Sequence, residues 1–167
     1  PEEVSEQKEI KYPPYSKDDF LNEVYMDEDT YNTLTELLEA KYNVILQGAP
    51  GVGKTFAAKR LAYSIMGQKD TSRVAMVQFH QSYSYEDFIQ GYRPFKEGFE
   101  LENGAFYKFC KEAEEDNERP YFFIIDEINR GNLSKIFGEL FMLIENDKRG
   151  NSLQLLYSDE KFNVPSN

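Results

Sequence analysis

GAPGVGKT, residues 48–55, matches the pattern G-x-x-x-x-G-K-[ST]. NVILQ, residues 43–47, precedes it as a short β-rich run. An amphipathic helical run from Lys54 to Met66, stopped by Gly67, follows it. The pattern therefore sits between an expected strand and an expected helix, where its chemistry requires it. Gly48, Gly51 and Gly53 let the backbone bend so that successive N–H groups point inward at a phosphate. The helix that begins there adds its positive N-terminus. Lys54 is placed to reach the β- and γ-phosphates, and the Thr55 hydroxyl to help hold Mg²⁺. The binding segment is thus Gly48, Ala49, Pro50, Gly51, Val52, Gly53, Lys54, Thr55 and Phe56.

FFIIDE, residues 122–127, supplies the second half of such a site. A continuous apolar run is the signature of a strand buried on both faces of a parallel sheet. Asp126, at its carboxyl end, is a Mg²⁺ ligand, direct or through water. Glu127 is the candidate general base that polarises an attacking water. A water-activating glutamate separates a hydrolysing motor from a small-molecule kinase. Asn129 and Arg130 follow at once, so both are catalytic candidates expected near the γ-phosphate or facing a neighbouring subunit, and Arg130 is the candidate for a charge there. Asn132 is the expected N-cap of a helix running from Leu133 to about Asn146. Lys148 and Arg149 would answer the dipole at that helix's end.

Outward from these motifs, Ser16 caps a short helix with Asp18 and Asp19 in its first turn. A second helix is expected over 29–40, with Tyr31, Leu34, Leu37 and Leu38 on one face. VAMVQF, residues 74–79, reads as a strand. FELENGAF, residues 99–106, reads as a hairpin turning at Asn103-Gly104. A helix over 107–116 follows, and LQLLYSDEKFNVP at the end reads as a second hairpin. Strands alternating with helices predict an α/β domain, a P-loop NTPase core with a mainly parallel sheet flanked by helices and with β-hairpin insertions. Residues 1–15, charged and carrying Pro13-Pro14, read as a linker before a domain over 16–167.

Composition narrows the function. The 167 residues carry a net charge of −11, with twelve Asp or Glu against three Lys in the first forty. That balance opposes a sequence-independent nucleic-acid clamp, which needs cations for phosphate. No apolar run is long enough to span a membrane, and no signal peptide is visible, so a cytoplasmic protein is expected. Cys110 is the only cysteine and has no internal disulfide partner. His80 lacks a second ligand at metal spacing and reads as a hydrogen-bonded structural histidine.

QFHQSYSYEDFIQGYRPF, residues 78–95, is dense in aromatic residues without a helical or strand period. With GAPGVGKT before it and FFIIDEINRGNLSKIFGELFMLIENDKRG after it, the chain resembles the McrB family. These are AAA+ motor subunits of modification-dependent, 5-methylcytosine-specific restriction systems. The aromatic block and DEINRGNLSKIFGE carry the resemblance, which runs from about Tyr15 to the last residue. It implies a ring-forming, usually hexameric motor that hydrolyses GTP with Mg²⁺ and recruits an McrC-like endonuclease subunit. DNA would be read mainly by a domain outside this chain. The family places a sensor strand and a helical lid beyond FNVPSN, so an AAA+ domain truncated before both is expected, poorly active alone. It also places the segment after the second strand at the pore or the adjoining subunit, which assigns Tyr83, Tyr85, Phe88 and Tyr92 to an oligomeric surface; packing of some of these rings onto the sheet is the alternative. The base is expected near Val24, Tyr25 and Met26, read by backbone or side chain. GTP is implied by the resemblance alone, since the Asn-Lys-x-Asp guanine motif is absent. An ATP-using remodelling chaperone and an assembly module with little turnover are the competing readings.

Overall fold

The computed structural model describes residues 11–167. Two helices open it. α1 (Lys17–Glu23) starts at Ser16, whose side chain and Asp19 exchange the reciprocal bonds of a capping box. α2 (Glu28–Lys41) is capped by Asp27, which accepts from the Thr30 amide at 2.7 Å. α3 (Lys54–Met66) begins at Gly53 and ends at Gly67, both with left-handed backbone. Apolar faces of these three helices meet in one cluster of Tyr15, Phe20, Val24, Tyr31, Ala57 and Leu61. Leu37, expected on that face, stands 45% exposed. Of the expected linker, residues 1–10 lie outside the described residues. Pro13 and Tyr15 pair with the turn after α3, through Lys69 N to Pro13 O at 2.8 Å and Tyr15 N to Gly67 O at 3.0 Å. Tyr15 is buried, so the packed part of the chain begins before Ser16.

β1 (Val74–Gln78) and β4 (Phe122–Asp126) form a parallel pair, registered from Val74 opposite Phe122 to Gln78 opposite Asp126. Parallel strands end at the same edge of a sheet, so Asp126 emerges there, with its carbonyl accepting from the Phe79 amide at 2.9 Å. This pair is the only parallel sheet among the described residues. The expected strand over NVILQ does not form: no backbone amide of 44–47 finds a backbone partner among the described residues, and Ile45 is 76% exposed. A β-rich run becomes a strand only beside another strand, and among the described residues no strand pairs with it. For the same reason β4 is half-buried along its length rather than enclosed on both faces.

The insertion between β1 and β4 corrects two further expectations. α4 (Tyr85–Phe88) leads into a hairpin of β2 (Gln90–Phe95) and β3 (Gly98–Asn103), which turns at Lys96-Glu97. Asn103-Gly104 is not the turn; Gly104 instead starts α5 (Ala105–Glu115). A Cβ on Gly104 would lie 2.4 Å from the Phe88 carbonyl carbon, so glycine is there because two backbones cross. The aromatic block is mostly core. Phe79, Tyr85 and Phe88 are buried, Tyr83 is half-buried, and only Tyr92 and Phe95 are about half exposed. Packing onto the core, the alternative to an oligomeric surface, therefore describes Tyr85 and Phe88, while Tyr92 stays exposed; a non-periodic segment can still aim its rings inward. Phe88 stacks on Phe106 at 4.8 Å and meets Phe137 and Phe123 edge-on.

After β4, Asn132 caps α6 (Leu133–Phe137) by accepting from the Lys135 amide at 3.1 Å. The expected long helix breaks at Gly138, and a 3-10 run, Gly138–Ile144, replaces its second half. Gly138 holds φ 54°, ψ −132°, and a Cβ there would lie 3.1 Å from the Tyr85 ring. Ile136, Phe137, Leu140 and Leu143 still reach the core. Arg149 donates to the Ile144 carbonyl at 3.2 Å, as a cation at a helical end should. β5 (Ser152–Gln154) and β6 (Lys161–Asn163) close the chain as the expected hairpin.

Candidate functional site

The glycine-rich turn and the end of β4 meet. Thr55 Oγ1 donates to Asp126 Oδ1 at 2.9 Å across 71 residues of sequence. Gly51 and Gly53 both sit at φ 79°, where a side chain would be strained. Gly53, as the N-cap, has no side chain to cap α3, so the first-turn amides at that helix N-terminus have no side-chain cap. Lys54 folds back over the loop, its Nζ donating to the carbonyls of Gly48 at 3.0 Å and Ala49 at 2.8 Å. The loop therefore offers amide donors, one ammonium and a hydroxyl beside a carboxylate. That set suits a polyphosphate with a hard cation. The Thr55 and Asp126 oxygens are of the donor type Mg²⁺ takes, and when bound the ion would neutralise charge on the phosphates.

Glu127 follows with φ 53°, ψ 41°, a left-handed conformation that is uncommon outside glycine. Its amide donates to Asp126 Oδ1 at 3.1 Å, and its side chain is exposed. Such strain clusters at functional positions. Asn129 and Arg130 lie in the 3-10 turn Ile128–Arg130, both exposed. Neither side chain bonds to Lys54, Thr55 or Asp126 among the described residues.

A cleft of about 710 Å³ opens beside the loop. Val24, Tyr25 and Met26 line it together with Gly51, Val52, Gly53, Lys54 and Phe56. Part of the expected phosphate segment, Gly51 to Lys54 with Phe56, therefore shares a cavity with the residues expected at the base, whereas Gly48, Ala49, Pro50, Thr55 and Asp126 do not line it. Glu23, Leu34, Ile45, Leu46 and Gln47 also line it and were not anticipated. His80 makes no side-chain hydrogen bond among the described residues. It is exposed, with its ring edge-on to Tyr83 at 5.5 Å, so the hydrogen-bonded structural role does not hold. Cys110 is buried and its thiol is pushed up to about 12 by burial, so it is inert as a nucleophile at neutral pH.

A P-loop lysine and threonine beside a strand-end aspartate define a P-loop NTPase domain. Comparison with known proteins agrees: the profile of the AAA domain (dynein-related subfamily) matches residues 43–164, and the chain belongs to that family. Within it the chain is McrB-like. It is 57% identical over 166 residues to the type IV methyl-directed restriction enzyme EcoKMcrB subunit of Escherichia coli (strain K12), covering 93% of this chain and 36% of that protein. It is 29% identical over 161 residues to the type II restriction enzyme BsuMI component YdiS of Bacillus subtilis (strain 168), covering 80% of this chain and 46% of that protein. The chain thus spans between about a third and a half of these relatives' lengths. No helix among the described residues is long and apolar enough to cross a membrane.

Proposed function

We propose that this chain is the nucleotide-binding core of a ring-forming restriction motor, which binds and hydrolyses GTP with Mg²⁺ and works with an McrC-like endonuclease subunit. The observation that carries the reading is the 2.9 Å bond between Thr55 and Asp126, which joins the phosphate loop to the acidic strand end. The McrB-like sequence supplies the restriction context. In this reading the loop amides and Lys54 hold the triphosphate, Lys54 exchanging its two carbonyl bonds for phosphate oxygens. Thr55 and Asp126 hold the cation. Glu127 takes a proton from the attacking water. Arg130, exposed and without an acidic partner among the described residues, serves a γ-phosphate, its own or a neighbour's.

The test is Mg²⁺-dependent binding of GTP and ATP in competition, with Lys54→Ala as control. The reading expects GTP to be preferred and Lys54→Ala to lose binding. Preference for ATP would replace it with a remodelling AAA+ protein. Unchanged affinity in Lys54→Ala would remove the phosphate cradle.

A further inference from the structure

Four large apolar side chains stand exposed around the cleft: Tyr25, Ile45 (76%), Val52 (62%) and Phe56 (42%). Phe56 differs from the others in being held. The Arg60 guanidinium lies over its ring at 3.4 Å from the centroid. Phe56 lines the cleft and is 42% exposed, whereas Arg60 does not line it.

Arg60 is itself fixed. Its Nε donates to Glu23 Oε2 at 3.1 Å. The same oxygen accepts from the buried Tyr15 hydroxyl at 2.9 Å, and Lys69 approaches the other oxygen at 3.5 Å. With three donors converging on one carboxylate, Glu23 has little freedom. Its pKa is held below the usual carboxylate range, first by the Tyr15 hydrogen bond and then, against some burial, by Arg60 and Lys69. Glu23 immediately precedes the Val24–Met26 turn, closed by the Met26 amide on the Val24 carbonyl at 2.8 Å. One polar hub thus sets both the ring and the turn opposite it.

We infer that Phe56 is the platform on which the purine ring of the nucleotide stacks, with Arg60 and Glu23 as the positioning residues that fix it. This rests on the nucleotide reading above. Stacking on a phenyl face is tolerant of base identity, because every base has a π-face. Phe56 therefore supplies affinity, and selection between guanine and adenine falls to groups that meet the base edge. The backbone of the Val24–Met26 turn suits that role, because neither the Tyr25 amide nor its carbonyl has a backbone partner among the described residues.

The experiment compares GTP, ATP and inorganic tripolyphosphate, each with Mg²⁺, by calorimetry on this chain. Tripolyphosphate fills the phosphate loop without a base. Phe56→Ala is expected to weaken GTP and ATP by about tenfold each, leaving their ratio and the tripolyphosphate affinity unchanged. Arg60→Ala should give a smaller loss, confined to the two nucleotides. Equal losses for nucleotide and tripolyphosphate would mean that α3 had been disturbed, and would overturn the inference. So would an unchanged GTP affinity in Phe56→Ala. Failure of the wild-type chain to bind any of the three would defeat the nucleotide reading itself, a result distinct from either.

Discussion

Replacing Phe88 by alanine should remove the keystone of the larger core. Phe88 is fully buried and makes ring contacts with Phe79, Tyr83, Phe106, Phe123 and Phe137, at centroid distances from 4.8 to 6.3 Å. A buried Phe→Ala costs about 3–5 kcal/mol, because surrounding atoms only partly collapse into the cavity. Aromatic pairs are worth about 0.5–1.5 kcal/mol each beyond the area they bury, which places this site near the upper end. Folding a domain is favourable by only about 5–15 kcal/mol, so one substitution removes a third of the stability or more. Urea titration followed by far-ultraviolet circular dichroism reads the effect. With a slope of about 2 kcal/mol per molar, the midpoint should fall by roughly 2 M. Tyr92→Ala is the paired control from the same stretch. Tyr92 is 53% exposed and keeps one edge contact, with Tyr157 at 5.9 Å, so its loss should cost about 1 kcal/mol or less. Equal costs at the two positions, or a Phe88→Ala cost below about 1 kcal/mol, would refute assigning the block to the core.

Glu127→Gln should keep nucleotide affinity and slow phosphate release in the complete protein by about 10²–10⁴-fold, the usual contribution of a general base; normal turnover would remove Glu127 from that role. Gly104→Ala should destabilise by about 1–3 kcal/mol, because the new methyl meets the Phe88 and Asp87 backbone at 2.4–2.6 Å. Gly98→Ala, with nothing within 4 Å, should not, and calorimetric melting separates them. Asp70 and Arg73 form a buried pair at 2.7 Å. Burial raises the Asp70 pKa, but bonds from Arg73 and Ser72 outweigh it, and the net shift is downward. A depressed carboxylate contributes stability above its unfolded pKa of about 3.9, lost as pH falls through the lower folded value. Asp70→Asn should therefore destabilise at pH 7 by about 3–5 kcal/mol, leaving Arg73 buried without its charge partner. That gap should narrow as pH drops below about 4; a pH-independent difference in urea midpoints would contradict the linkage.

The P-loop, the β4 strand and the helices with clear caps were legible because local chemistry dictates them. Gly53 needs a positive φ, Ser16 and Asp27 satisfy amides a few residues away, and Asp126 ends an apolar run. What escaped reading depended on distant neighbours. NVILQ has the composition of a strand, but pairing is not a property of one segment. Asn103-Gly104 has the composition of a turn, yet Gly104 answers a crossing with Phe88 that only the fold creates. Tyr85 and Phe88 were placed on an oligomeric surface by the family resemblance, with core packing as the alternative, because a segment without a period does not say which rings turn inward. The helix after Asn132 broke at Gly138 for want of a Cβ beside Tyr85. At the site, Arg60 went unnoticed although it stands four residues after Phe56. On a helix that spacing brings a cation to a ring, and it was the available signal.

The unpaired run ahead of the phosphate loop has a consequence for labelling in heavy water. Those amides of β1 and β4 that point across the pair are bonded in a ladder and should exchange slowly, at rates set by larger openings. Those of Val44 to Gln47 have no backbone acceptor among the described residues and should exchange within seconds in this chain. Deuterium uptake on this four-residue stretch is therefore a built-in gauge. Any partner strand that comes to lie beside it will be seen as the disappearance of its fast phase.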